Sequence, residues 1–195
     1  MSTQKKSTQY TYLEKRINKL KRNFNFKQSI NGITELQSDK LRGLILLCHA
    51  ELEDYFESMA AKLLEEAEKK WKTRKVANYN LASLFIWNEK INTSGTCDTK
   101  AMKIITDFRS GNIKKNNGIK ENDIKNLFEP LGYYLNDFDS TFLSTLSSFG
   151  SLRGEAAHTS VKKTQQLLDK NTEYMRIDNL LSGIADFEDV INQRR

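Results

Sequence analysis

"LRGLILLCHAELEDYFESMAAKLLEEAEKKW", residues 41–71, decides how this chain is read. Apolar side chains recur in it every three or four positions: Leu41, Leu44 and Ile45, Cys48, Leu52, Tyr55 and Phe56, Met59, Leu63 and Ala67. That is the 3.6-residue period of a single long α-helix with one buried face. Ser38 and Asp39 stand just before it and are expected to cap it. Near its end Glu65, Glu66 and Glu68 lie four residues before Lys69, Lys70 and Lys72, a spacing that supports an exposed helix reaching past the core.

Shorter periodic stretches flank it. Residues 10–26 carry Tyr12, Leu13, Ile17, Leu20 and Phe24 along one face. Residues 80–91, 100–109 and 121–128 read as short helices, the last ending at Pro130. "NDFDSTFLSTLSSFGSLRGEAAH", from Asn136 to His158, opens with an Asn cap and two aspartates in the first turn. Residues 173–193 repeat Ile177, Leu180, Leu181, Ile184, Phe187, Val190 and Ile191 at helical spacing. "NGITEL", "NTSGTCDT" and "SGNIKKNNG" read as links. No stretch alternates like a strand and no segment repeats. The expected fold is all-α: a bundle with two long helices, residues 41–71 and 173–193, and several shorter ones, residues 137–157 packed against the long pair.

Composition narrows the class. One proline and nine glycines among 195 residues favour helices over a turn-rich β fold. The longest apolar run, residues 44–48, is too short to span a bilayer, and the N-terminus lacks the apolar stretch of a signal peptide. Cys48 and Cys97 are too few for a disulfide framework, and Cys48 reads as a buried free thiol. A soluble cytoplasmic protein is expected. The net charge of +6 is uneven: residues 1–30 hold eight basic side chains against Glu14 alone. The expected division is therefore a basic N-terminal tail and helix, residues 1–30, and a helical domain, residues 31–195. Lys15, Arg16, Lys19 and Arg22 are candidates to hold a phosphate backbone. No cofactor is expected, and histidines and cysteines at ligand spacing for a metal are lacking.

The chemistry is sought in "SLRGEAAHTS", residues 151–160, which holds one of only two histidines. Phe138, Phe142, Leu146, Phe149, Leu152 and Ala156 keep one apolar face, and Arg153 falls within it, a costly place for an unpaired guanidinium. Positions five apart on a helix lie about 140° from each other, so Arg153 and His158 share a face only if the helix ends or loosens between them, as Gly154 permits. Another route joins them. Ser147, Ser151 and Gly154 form a stripe of small residues that a second helix can approach. If that helix is the same one in a second subunit, two arginines and two histidines gather in one cleft. Such a set cleaves RNA without a metal: one imidazole as base, the other as acid, with Arg153 stabilising charge on the phosphate.

"RGEAAH" resembles the R-x4–6-H signature of HEPN-domain ribonucleases, small all-α dimers of toxin–antitoxin, phage-defence and RNA-processing systems. "LILLCHAELEDYFESMAAKLL" is similar to the long second helix of the RiboL-PSP-HEPN group, and the resemblance covers roughly residues 38–192. It implies that Arg153 and His158 are catalytic in a homodimer acting on RNA, with an antitoxin or defence-system protein as a possible further partner. Where the family usually has a polar residue after the arginine, this chain has Gly154. Glu51 and Tyr55, beside Glu53, Asp54 and Glu57, are candidates to support Arg153 or orient His158. Arg42 and His49 meet the same spacing, seven positions apart on one side of a helix. His49 is read instead as local, bonded to Glu53 or packed, because the family motif falls late in the domain. The rival readings are a non-catalytic helical module that dimerises or binds RNA, nucleotide or a partner protein, and a DNA binder acting through the basic helix.

Overall fold

In a computed structural model that describes residues 6–27, 32–88, 95–158 and 169–194, the quoted stretch is one helix, longer than its apolar period alone implies. It runs Glu35–Arg74 (α2), 40 residues or about 60 Å. Ser38 and Asp39 do not cap it. Thr34 does, in a capping box: Gln37 N–H donates to the Thr34 hydroxyl at 3.3 Å, and Thr34 N–H donates to Gln37 Oε1 at 2.9 Å. Ser38 is carried one turn into the helix and buried. Every apolar residue of the expected stripe is buried. The far end does not project beyond the core either. Trp71 is buried edge-on to Phe85, ring centroids 6.1 Å apart, and Glu68 reaches both Lys72 and Arg109 at 2.5 Å.

The other helices are α1 (Thr8–Asn23), α3 (Tyr79–Trp87), α4 (Cys97–Phe108), α5 (Glu121–Phe128), α6 (Ser140–His158) and α7 (Lys170–Gln193). Each of them packs against α2, and among the described residues there is no β-strand. Their starts follow local capping chemistry. Ser7, Asn78, Thr96 and Asp169 each accept a backbone N–H in the first turn of α1, α3, α4 and α7. The expected loop after α4 opens as a π-helical turn, Arg109–Ile113, because Ile113 is drawn into the core. The start of α6 also differs from expectation. Asp139, not Asn136, accepts from Phe142 N–H, at 2.7 Å. Asp137 lies before the helix and takes both terminal nitrogens of Arg194 at 2.6 Å, tying the end of α7 to the start of α6.

The basic helix α1 packs with the rest of the bundle. Tyr10, Leu13, Ile17 and Leu20 of α1 enter the same core, while Tyr12, expected on that face, is 66% exposed. Lys21 pairs with Asp178 of α7 at 2.6 Å. Trp71 and Tyr133 are core residues, whereas Trp87 and Tyr134 are exposed. Cys48 is a free buried thiol, and burial pushes its pKa up to about 12. No described helix is long and apolar enough to cross a membrane.

The centre of the bundle is an aromatic cluster around Phe187 of α7. Phe138 stacks on it with centroids 4.3 Å apart, and Phe128 and Phe56 meet it edge-on at 4.9 and 5.4 Å. Gly183, one turn earlier on α7, lets α6 come close: a Cβ there would overlap the buried Phe142 ring. A glycine-to-alanine change inside a helix ordinarily gains about 1 kcal/mol. Here Gly183→Ala is expected to lose about 1 kcal/mol or more through overpacking, measured by urea unfolding.

Candidate functional site

The site lies where the last turns of α6 cross the N-terminal half of α2. α6 is helical without a break through Gly154 to His158, so the expected loosening between Arg153 and His158 does not occur. A Cβ built on Gly154 meets nothing within 4 Å, so packing among the described residues does not demand glycine there. Arg153 sits within about 20° of Leu146 around the helix axis, yet it is exposed. The physical reason is what α6 faces at that level: a polar part of α2 rather than apolar core. Among the described residues no carboxylate pairs with Arg153. The side chain of His158 lies outside the described residues.

Arg42, His49 and Glu53 make up that polar file on α2, within about 40° of one another around its axis. Arg42 donates to the carbonyl of Ala156 on α6 through Nε at 3.0 Å and Nη2 at 2.8 Å, and its Nη1 faces Asp39 at 3.4 Å. His49 is only 2% exposed, with Nδ1 3.6 Å from Glu53 Oε2, too long for a strong hydrogen bond. Of the two local roles expected for it, packing therefore dominates. Burial, reinforced by the nearby positive charges of Arg153 and Lys120, lowers the His49 pKa to about 4, so the ring is neutral at pH 7. Burial and the neighbouring Glu57 raise the Glu53 pKa, while Arg153 opposes that rise. Lys120 reaches this place across α6: a Cβ on Gly150 would lie 3.0 Å from its Cγ. The arrangement is two exposed cations, Arg153 and Lys120, over a buried neutral imidazole and a half-buried carboxyl. It suits a phosphate, which two cations can hold.

Glu51 and Tyr55 are on another side of α2. Glu51 accepts from Arg16 Nε at 2.7 Å, and Tyr55 donates to the buried Glu188 of α7 at 2.7 Å, where Ser7 also donates. Both line a groove of about 290 Å³ between α1 and α2 together with Tyr12, Leu13 and Asp54. Two residues along a helix turn the side chain by about 200°, which is why Glu53 and not Glu51 feels Arg153. The pairing also occupies Arg16. Lys15, Lys19 and Arg22 remain exposed at i, i+4 and i+7, one continuous basic stripe on α1. Of the small-residue stripe, Ser147 is taken by α5, whose Glu121 N–H donates to its hydroxyl at 3.0 Å, while Ser151 is exposed.

Three contributors escaped the sequence reading of the site: Glu53 as a carboxyl that feels the charge of Arg153, Lys120 as a second cation, and Arg42 as a partner of α6. The 42–49–53 spacing was a usable signal for the α2 file. Nothing local marks Lys120, which arrives from a loop before α5.

The model of the RiboL-PSP-HEPN family matches residues 11–193, nearly the whole chain. This protein belongs to the RiboL-PSP-HEPN family, and membership points to ribonuclease activity on RNA. No curated protein and no solved structure matches the chain.

The buried imidazole makes a prediction. Its folded pKa of about 4 lies below the ordinary 6.5, so the unfolded state binds the extra proton as pH falls. Stability from the neutral ring is full above about pH 6.5 and is lost progressively down to about pH 4, a difference of about 3 kcal/mol. His49→Gln should flatten the pH dependence of urea unfolding in that window; an unchanged slope would show that His49 is not buried neutral.

Proposed function

We propose that this chain is a metal-independent endoribonuclease that acts as a homodimer, with Arg153 and His158 as its catalytic residues. The observation that carries this reading is Arg153: exposed, without an ion-pair partner among the described residues, and on the helix that ends at His158. Because α6 stays helical between them, positions 153 and 158 lie on different sides of one helix. A shared site is then best formed by two copies of α6 across a two-fold axis, with Ser151 and Gly154 permitting close approach. One His158 imidazole takes the proton from a ribose 2′-OH, whose oxygen attacks the adjacent phosphorus. The P–O5′ bond breaks, and the second imidazole, protonated, delivers a proton to the departing 5′-oxygen. Arg153, with Lys120 beside it, balances the negative charge gained by the phosphate oxygens. The products are a 2′,3′-cyclic phosphate and a 5′-hydroxyl, and DNA is inert because it lacks the nucleophile. The exposed stripe Lys15, Lys19 and Arg22 holds RNA backbone away from the cleavage point. A toxin or phage-defence effector restrained by a partner protein is the role that fits such an activity.

Incubation with RNA in EDTA tests the reading. The wild type should cut and leave 2′,3′-cyclic ends; His158→Ala and Arg153→Ala should each lose about 100-fold or more in kcat. Uncut RNA, or a fully active His158→Ala, overturns the assignment, and a monomer by light scattering at micromolar concentration overturns the shared site. Replacing Lys15, Lys19 and Arg22 together by glutamine should raise KM and shallow its salt dependence while kcat is kept.

A further inference from the structure

Arg42 belongs to the spare R-x6-H match that the catalytic assignment left unused, and its contacts give it a different task. Ala156 is 1% exposed and lies in the last described turn of α6, and a buried carbonyl needs a hydrogen-bond partner. Its carbonyl receives two N–H groups of one planar guanidinium, at 3.0 and 2.8 Å, from a residue 114 positions earlier in the chain. Asp39, one turn before Arg42 on α2, lies 3.4 Å from the remaining terminal nitrogen and orients the fork. The contact falls between Arg153 and His158 in sequence, three residues after one and two before the other. α2 itself is held by its capping box and by contacts along its length, so it is a rigid anchor.

We propose that Arg42 is a positioning residue for the ribonuclease site: it clamps the last turn of α6 to α2 and thereby sets where His158 stands relative to Arg153. The inference rests on the catalytic reading of those two residues. Arg42 touches neither RNA nor the reacting atoms. It acts through the Ala156 carbonyl, and its loss lets the final turn fray, so that a helix end carrying an acid–base group becomes an ensemble of placements. Misplacement of a catalytic group by a fraction of an ångström acts on the chemical step, not on the binding of a long RNA whose phosphates are held elsewhere.

The test uses the full-length protein with RNA in EDTA, comparing wild type, His158→Ala, Arg42→Met and Arg42→Lys. Methionine keeps an unbranched stem and removes every donor; lysine can still donate to one carbonyl. Arg42→Met should lower kcat about tenfold or more with KM within about twofold of wild type, and Arg42→Lys should recover much of the loss. Hydrogen exchange in Arg42→Met should quicken at the amides of residues 154–158 while those of α7 keep their protection. Wild-type kcat in Arg42→Met, in a protein whose His158→Ala variant is dead, overturns the clamp and leaves the ribonuclease reading intact. Protection lost equally across α2, α6 and α7 also overturns it, since that marks a role in general stability. If the wild type does not cut RNA, the catalytic reading fails, and unchanged exchange at residues 154–158 in Arg42→Met then removes the clamp as well.

Discussion

Burial of the α2 stripe is the constraint on which the rest of the structure depends. A helix of 40 residues exposes apolar surface along its length, and no single neighbour can cover it. The other described helices divide that work. α1 covers one side with Tyr10, Leu13, Ile17 and Leu20, and α7 brings Phe187 to Phe56. α3 seals the far end where Phe85 meets Trp71. Each deeply buried Leu or Phe contributes about 2 kcal/mol by removal from water, so the placement of every other helix follows from where α2 is apolar. The exposed basic face of α1 is a by-product of the same arrangement: its apolar side is committed to the core, and Lys15, Lys19 and Arg22 are what is left outside.

The candidate site appears where α2 departs from that pattern. Arg42, His49 and Glu53 interrupt a helix face that would otherwise be apolar, and α6 answers with a carbonyl and a guanidinium. Burial of His49 disfavours its imidazolium, and Arg153 and Lys120 add to that, so the residue costs stability at low pH that an apolar one would not. The same two cations concentrate positive potential at one end of α6, and among the described residues no carboxylate pairs with Arg153. A structural role alone would be better served by a neutralising partner. Local inconsistency of this kind, placed next to an exposed arginine, is where functional sites are expected.

The family assignment and the geometry support each other from different directions. The family match spans nearly the whole chain and concerns pattern. The geometry concerns this chain's own side chains, and it redistributes roles among them: Glu51 to Arg16, Tyr55 to Glu188, and Arg42 to the α6 carbonyl. It also removes the idea of a helix break at Gly154.

The helices were legible in the sequence wherever a period of 3.6 was strong, because burying a face and forming a helix are one requirement seen twice. Leu41 to Trp71 show this, and so do Ile177 to Ile191. Caps were less legible. Thr34 and Asp139 won over Ser38 and Asn136 because a cap is chosen by which side chain can reach the third amide, and several candidates within four residues look alike in a string. The catalytic candidates Arg153 and His158 could be named from spacing and resemblance. Their company could not. Glu53, Lys120 and the Arg42 clamp come from α2 and the loop before α5, at sequence separations that carry no local pattern. So the sequence by itself determined that this is a helical bundle with an R-x4-H motif near the end of an amphipathic helix. Only the tertiary structure decided which charges meet there, because α2 and α6 cross at one level and one rotation, set by the packing of the whole core.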